Sequence, residues 1–166
     1  MNFMVGFILL VSGGKENETF WFFYAILEKT HNLNPFDGLA SMYEEGFPLY
    51  MQYVEVFNEL FEEYIPELYE NFQMEGIPNE MWLQKWFMSC FTINFPMGLC
   101  VRIWDNLMAH GTKFILNVSL ALLYLMKDEL MTLDMGGINE YFKKLKDDES
   151  CEYKLLPPYE DIIQEA

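Results

Sequence analysis

The sequence predicts an all-α fold, and three features of its 166 residues support that prediction. Apolar side chains recur along most of the chain at the i, i+3, i+4, i+7 spacing of amphipathic helices. Gly and Pro interrupt this pattern where helices are expected to begin or end. No stretch of the sequence shows the strict alternation of a half-buried strand, and no internal repeat is present. We therefore expect several layers of short helices.

The N-terminal part is expected to contain two apolar helices. Residues 3–11 form a continuous apolar run that predicts a buried helix, because the run is too short to span a bilayer and lacks the features of a signal peptide. Residues 16–31 are apolar on nearly every side, so we expect this helix at the centre of the core. The Asn, Pro and Gly content of residues 32–38 predicts a loop.

Five further helices are predicted in the middle of the chain. Pro48 suits the first turn of one of them, and Pro66 separates that helix from the next. Gly111 is the residue expected just past a helix end. The predicted ranges are 48–63, 67–75, 82–91, 99–110 and 113–133, and the last is so apolar that we expect it to be enclosed.

The C-terminal part is expected to consist of the last helix of the domain followed by a tail outside it. A last helix is predicted over residues 138–146, which makes residues 1–146 a single helical domain. Residues 147–166 are acidic and contain two adjacent prolines, so we expect an extended or loosely docked tail.

Charge and composition limit the partners of the chain. It has 26 acidic and 10 basic residues and a formal net charge of −16, which repels nucleic acid and anionic membrane. A positively charged protein surface is the natural complement. The hydrophobic share of 52% predicts an apolar face that a protein partner covers. We expect no nucleic-acid partner and no transmembrane segment.

No local motif for catalysis, a cofactor or a metal is found in the sequence. His31 and His110 fall at predicted helix C-termini, where a histidine complements the helix dipole. Cys90, Cys100 and Cys151 lack metal-ligand spacing and are expected to be reduced thiols of an intracellular protein. The 12 methionines are scattered, which favours core filling over an adaptable binding groove. We therefore expect no catalytic residue, no cofactor and no metal site.

A series of short motifs follows an order typical of a known family. The motifs are Met1-Asn2-Phe3, Thr19-Phe20-Trp21, Trp86-Phe87-Met88-Ser89-Cys90-Phe91, Phe95-Pro96, Arg102-Ile103-Trp104-Asp105 and His110-Gly111. In this order and spacing, residues 1–146 resemble the TBC domain of Rab GTPase-activating proteins. The resemblance implies a multi-helix domain, a Rab-type small GTPase as partner and a place in vesicle trafficking.

The resemblance also implies a catalytic mechanism that depends on two residues in motifs that this sequence does not contain. In TBC domains, the arginine of an I-x-x-D-x-x-R motif offsets charge on the transferring phosphoryl group, and the glutamine of a Y-x-Q-G-M-N motif places the attacking water. Neither motif occurs in the 166 residues. Met1-Asn2 corresponds to the end of the second motif, so we expect an N-terminally truncated domain, either part of a longer activator or a natural short form. Such a pseudo-GAP is expected to be inactive alone, and not itself an enzyme with a local active site.

Arg102 is the only arginine in the chain and so the only side chain that could imitate an arginine finger. The resemblance instead places it in a structural motif with Trp86, Phe87, Trp104 and Asp105. We expect Arg102 to pair with a carboxylate and stack on an aromatic ring as part of the helical scaffold.

Two functions are therefore expected from the sequence. The first is a Rab-GAP-like protein that binds a small GTPase without catalytic fingers. The second is a structural subunit that uses the remnant fold as a packing module in a larger cytoskeletal or ciliary assembly, because uncovered apolar helices need a partner. Both functions imply an intracellular, cytoplasmic protein at an endomembrane surface, in a cilium or on the cytoskeleton.

Overall fold

Ten α-helices follow one another in the computed structural model, which describes residues 1–28, 38–150 and 156–166. They are α1 Asn2–Val11, α2 Glu16–Leu27, α3 Pro48–Tyr64, α4 Pro66–Met74, α5 Glu80–Met88, α6 Met97–His110, α7 Phe114–Leu125, α8 Lys127–Leu130, α9 Met135–Lys144 and α10 Tyr159–Glu165. Two 3₁₀ stretches, Ala40–Met42 and Leu145–Ser150, lie between them. Because these described ranges contain no strand, the predicted all-α, multi-helix fold is confirmed.

Helix α3 shows how the sequence sets the bounds and the buried face of a helix. Phe47 has a left-handed backbone with φ of 50°, and Pro48 then fixes the helical φ of the first turn. The helix ends before Ile65 because the following Pro66 disfavours a helical backbone at the residue that precedes it. The buried side chains keep the predicted helical spacing: Tyr50, Tyr53, Val54, Phe57 and Phe61.

An aromatic cluster occupies the centre of the core. The ring of Trp86 is fully buried, and its centroid lies 4.7 Å from Trp82, 5.0 Å from Phe95 and 5.2 Å from Phe142. Tilted and edge-on pairs of this kind add to the free energy gained from burial. The cluster therefore links α5 to α9 and to the connection between α5 and α6.

Helix α7 is enclosed as predicted. Eight of its twelve residues are buried, among them Ile115, Leu122 and Leu123. The predicted helix over 113–133 is divided, however, because α7 ends at Leu125 and the short α8 follows.

The predicted positions of α1 and α2 in the core are wrong. Only Met4 and Ile8 of α1 are buried, and only Thr19 and Ile26 of α2. The two helices pack against each other, and each covers only one face of the other. High apolar content therefore does not enclose them, because no further described helix covers their outer side.

The helix predicted over 82–91 ends earlier, at Met88. Cys90 and Phe91 instead adopt left-handed backbones with φ of 46° and 69°. Both side chains are fully buried, and the Cys90 carbonyl accepts a hydrogen bond of 3.0 Å from Trp104 Nε1. Tertiary burial and this hydrogen bond hold a turn that the helical spacing did not predict.

The C-terminal segment also differs from the prediction of an extended or loosely docked tail. Residues 159–165 form α10, which packs on α6 and α7 and buries Ile162 completely. Pro158 comes just before the first residue of this helix and has an extended backbone. The predicted loop over 32–38 lies outside the described residues except for Gly38, as do His31 and Cys151.

Candidate functional site

The outer side of α1 and α2 carries an unusual concentration of exposed apolar side chains. We call these residues the hairpin face: Phe3, Leu10, Val11, Phe20, Trp21, Phe22 and Tyr24. Trp21 is 65% exposed and Leu10 is 69% exposed. The ring centroid of Phe20 lies 5.2 Å from that of Trp21, which in turn lies 6.1 Å from that of Tyr24. The exposed rings of Phe20, Trp21 and Tyr24 therefore contact one another.

A groove opens beside the hairpin face, between α1, α2 and α6. Its volume is about 320 Å³. We call it the α1–α2–α6 groove, and the side chains that line it are Phe7, Ile8, Val11, Ser12, Glu18, Phe22, Val101, Trp104, Asp105 and Met108. Seven of these ten are apolar, so the groove is suited to an apolar group with a charged neighbour.

Trp104 forms a fixed part of the groove wall. Its indole Nε1 donates to the Cys90 carbonyl, so the polar edge of the ring points into the core and is satisfied there. The ring itself contacts Phe7 of α1 at a centroid distance of 5.0 Å. Because Trp104 is only 4% exposed, its position is set by packing and not by the groove.

Two exposed carboxylates lie at the edge of this apolar groove. Glu18 of α2 forms an ion pair with Lys15, in which the Lys15 Nζ lies 3.1 Å from Glu18 Oε1. Asp105 of α6 forms no ion pair with any residue in the described part of the chain. The groove thus combines an apolar wall with an uncompensated negative charge.

Arg102 lies one turn before Asp105 and has a different environment. Its Nη2 lies 3.0 Å from Oε1 of Glu160 in α10, and both side chains are at least half exposed. The arginine therefore pairs with a carboxylate, as expected, but with one from the segment predicted to be a tail. The pair ties α6 to α10 on the surface.

The other residues of the predicted structural motif fall in two groups. Trp86, Phe87 and Trp104 are buried, and Asp105 is exposed like Arg102. The motif therefore does not form one cluster: Trp86 and Phe87 lie in the core, Trp104 and Asp105 line the groove, and Arg102 contacts α10.

The two cysteines in the described residues are free thiols enclosed by the core. Burial raises the pKa of both Cys90 and Cys100 to about 12, from an ordinary value of 9.0. Deprotonation, which nucleophilic chemistry would require, is therefore suppressed at neutral pH. The described residues also contain no group of three or more His, Cys, Asp or Glu that could hold a metal ion.

Comparison with known proteins identifies the family. The sequence model of the Rab-GTPase-TBC domain matches residues 1–131, most of the chain. The chain belongs to the Rab-GTPase-TBC domain family. The TBC resemblance inferred from the ordered motifs is therefore confirmed.

Individual relatives agree with this assignment of a TBC domain. The human ecotropic viral integration site 5 protein homolog is 32% identical over 143 residues, which cover 86% of this chain and 16% of that protein. The Caenorhabditis elegans Rab GTPase-activating protein tbc-11 is 33% identical over 107 residues, which cover 64% of this chain and 11% of that protein. The chain thus spans less than a fifth of the length of these relatives.

A solved structure supports the TBC fold. The crystal structure of the Chlamydomonas flagellar RabGAP TBC domain superposes with a TM-score of 0.71 at 23% identity, and the match covers 87% of this chain and 45% of that one. Separately, no helix of the described residues has the length and apolar character needed to cross a membrane.

The groove of this TBC domain is not predicted by any motif of the sequence, although one feature of the sequence indicates an uncovered helix face. Residues 20–24 are five consecutive aromatic residues, Phe20-Trp21-Phe22-Phe23-Tyr24. Successive helical residues point about 100° apart, so five in a row surround the helix and can all be buried only if neighbours cover every side. The groove residues from α6 gave no such signal, because their partners come from α1 and α2.

Proposed function

We propose that this chain is a Rab-GAP-like TBC domain that binds a Rab-type small GTPase without supplying a catalytic finger. The observation that carries the proposal is the environment of Arg102. Arg102 is the only arginine of the chain, it does not end an I-x-x-D-x-x-R sequence, and its Nη2 lies 3.0 Å from Oε1 of Glu160 in an exposed ion pair on the surface of α6. A finger must instead reach the transferring phosphoryl group of the GTPase.

The chain also contains no candidate for the glutamine that places the attacking water in the family mechanism. The four glutamines are Gln52, Gln73, Gln84 and Gln164, and none belongs to a Y-x-Q-G sequence. No glutamine is therefore available in the family motif to place an attacking water. Family membership favours a Rab GTPase as the partner, and the missing motifs favour binding without acceleration.

The direct test of the proposal separates binding from catalysis. Purified chain is added in catalytic and in equimolar amounts to a panel of Rab GTPases, and release of inorganic phosphate is measured beside the intrinsic rate. We expect no acceleration, together with retention of at least one GTP-analogue-loaded Rab on the immobilised chain. The tbc-11 protein serves as the positive control for the activity assay.

Two outcomes contradict the proposal. Acceleration at catalytic amounts would show that a finger is present, and its loss in Arg102→Ala would assign that role to Arg102. Failure of every Rab in the panel to bind, in both nucleotide states, would remove the GTPase-binding function.

The second candidate function is a packing module inside a larger assembly, such as a cytoskeletal or ciliary one. The hairpin face favours it, because contiguous exposed aromatic residues of this kind mark interaction surfaces. A chain that sediments as a monomer and binds no neutral apolar dye such as Nile red would contradict this candidate.

We further propose an intracellular, cytoplasmic location at an endomembrane surface, in a cilium or on the cytoskeleton, with a role in vesicle trafficking for the first candidate function. The free, buried thiols support a reducing compartment. Imaging of the tagged chain together with markers of these structures tests the location, and secretion into the medium would contradict it.

A further inference from the structure

We infer that a pocket between α3, α4 and the start of α5 binds an arginine side chain from a basic segment of a partner protein. We call it the α3–α4–α5 pocket; its volume is about 350 Å³, and its polar lining residues are Asn58, Tyr69, Gln73, Asn79 and Glu80. All of its lining residues lie between positions 58 and 80, so none belongs to α1, α2 or α10. Neither candidate function above requires this binding.

The pocket is lined by a buried residue with an unpaired acceptor. Asn79 is only 4% exposed, and its Nδ2 donates a hydrogen bond of 2.9 Å to Asn58 Oδ1. The Oδ1 of Asn79 is buried and accepts no hydrogen bond from the described residues. Because a buried acceptor without a donor costs free energy, a ligand that brings a donor into this pocket is favoured.

The helix that Asn79 precedes does not use this oxygen. Asn79 is the N-cap residue of α5, where an asparagine side chain commonly accepts from a backbone N–H of the first turn. No such bond is formed here, because the Asn79 backbone is helical, with φ of −62° and ψ of −32°, instead of extended. The Met81 N–H donates to the Pro78 carbonyl. The Trp82 N–H donates to the backbone carbonyl of Asn79 itself. The side-chain oxygen is therefore left for another donor.

The surroundings of the pocket are strongly acidic. Residues 44–84 contain ten glutamates and neither Lys nor Arg. Of these ten, only Glu67 forms an ion pair with a described residue, Lys127. Glu80 lines the pocket and is exposed, so its charge is available to a ligand. The local charge therefore favours a cation.

The polar groups of the pocket favour an arginine among the cationic side chains. A guanidinium has five N–H donors in one plane and no acceptor, so it can bond to several oxygens at once. Asn79, Glu80 and Gln73 each carry a side-chain oxygen that can accept from it. A lysine ammonium is a more compact and more strongly hydrated charge. The volume of about 350 Å³ is at the low end for ligand pockets and suits a single side chain.

The same features disfavour a metal ion and an anion. Glu80 is the only carboxylate that lines the pocket, and hard divalent cations prefer several charged oxygen ligands. A phosphate or an acidic peptide would be repelled by the ten glutamates of residues 44–84. With a net charge of −16 for the whole chain, a basic segment of a partner protein is the source that the electrostatics favour.

Three fluorescent peptides of equal length test the chemistry of the ligand. Each is rich in Gly and Ser and has two flanking lysines, and its central residue is Arg, Lys or citrulline, the neutral analogue of Arg with the same shape. Fluorescence anisotropy with the full chain at low salt is expected to give the tightest binding for the Arg peptide. Binding should be about threefold weaker for the Lys peptide and at least about tenfold weaker for the citrulline peptide.

Matched variants of the chain test the position of the arginine. Glu80→Gln should weaken binding of the Arg peptide about fivefold, whereas Glu16→Gln, the same change at an exposed site on α2, should weaken it less than about twofold. Asn79→Ala should weaken it about tenfold. Asn94→Ala removes another buried asparagine with an unpaired Oδ1, but outside the pocket, and should leave the affinity unchanged. Circular dichroism confirms that each variant is folded.

Contrary outcomes are distinct from one another. Equal binding of the Arg and citrulline peptides, or equal losses in Glu80→Gln and Glu16→Gln, would overturn the inference, and both comparisons remain decisive if Asn79→Ala does not fold. Displacement of the Arg peptide by an equimolar amount of free spermidine would assign the pocket to a free polyamine and not to a partner protein. Since the assay contains no GTPase, a negative result here leaves the proposed Rab binding unaffected, and loss of Rab binding leaves the pocket unaffected.

Discussion

Helices α1 and α7 are both strongly apolar, yet they lie in opposite environments. Eight of twelve residues are buried in α7, whereas two of ten are buried in α1. Neither helix contains a charged residue. The difference therefore arises from the neighbours: α7 contacts α3, α6 and α10, and α1 packs mainly on α2. Apolar content makes burial favourable, and the arrangement of the other helices decides whether it occurs.

The largest difference between the buried and the exposed environment is expected when one tryptophan in each is replaced by alanine. Trp86→Ala removes a fully buried ring from the central cluster and is expected to lower the free energy of unfolding by about 3 to 5 kcal/mol. Trp21→Ala, the same substitution on the hairpin face, should cost less than about 1 kcal/mol. Urea unfolding monitored by circular dichroism measures both, and equal losses would refute the contrast between core and hairpin face.

A further variant separates packing from polarity at the same core site. Trp86 Nε1 is buried and has no hydrogen-bond partner among the described residues. Trp86→Phe therefore removes an unsatisfied N–H together with part of the ring. We expect it to cost clearly less than Trp86→Ala in the same urea experiment.

Alkaline pH is expected to destabilise the fold through the two cysteine thiols that are buried in the core. Cys90 and Cys100 have pKa values of about 12 when folded, against an ordinary 9.0, so the folded state holds their protons more tightly than the unfolded state. Their stabilising contribution is complete below about pH 9 and is lost as the pH rises toward 12. The urea midpoint should thus fall between about pH 8 and about pH 10.5, and less steeply in the double variant Cys90→Ala/Cys100→Ala. An equally steep fall in that variant would exclude the thiols as the cause.

Local signals in the sequence predicted most helix ends but not which faces would be open. Pro48 begins α3 and Gly111 ends α6 as expected, because each depends on the backbone of one residue. The exposure of Trp21 could not be derived in this way, since burial depends on helices distant in sequence. The pairing of Arg102 with Glu160 also escaped prediction, because it requires the docking of α10. Family motifs indicated the fold but did not reveal the α1–α2–α6 groove.

Two glycine substitutions are expected to change the free energy of unfolding by smaller amounts and with opposite signs, one in α1 and one at the end of α6. Gly6 lies within α1, and a Cβ there would meet no atom within 4 Å, so Gly6→Ala is expected to stabilise the chain by about 0.5–1 kcal/mol through helix propensity. Gly111 ends α6 with φ of 86°, so Gly111→Ala should destabilise by about 1–3 kcal/mol. Thermal unfolding of the two variants beside the parent chain checks both signs, and a destabilised Gly6→Ala would mean that the outer side of α1 is covered.

The smallest effect is expected at Arg102, on the side of α6 that α10 covers. Its pair with Glu160 is exposed, so solvent screens the attraction, and Arg102→Ala should cost about 0.2–1 kcal/mol. A double-mutant cycle with Glu160→Ala isolates the pair, and its coupling energy should shrink at high salt. A loss above about 2 kcal/mol that persists in high salt would assign Arg102 a buried structural role. A small, salt-sensitive coupling would instead mean that α10 is held mainly by Ile162, whose side chain is fully buried.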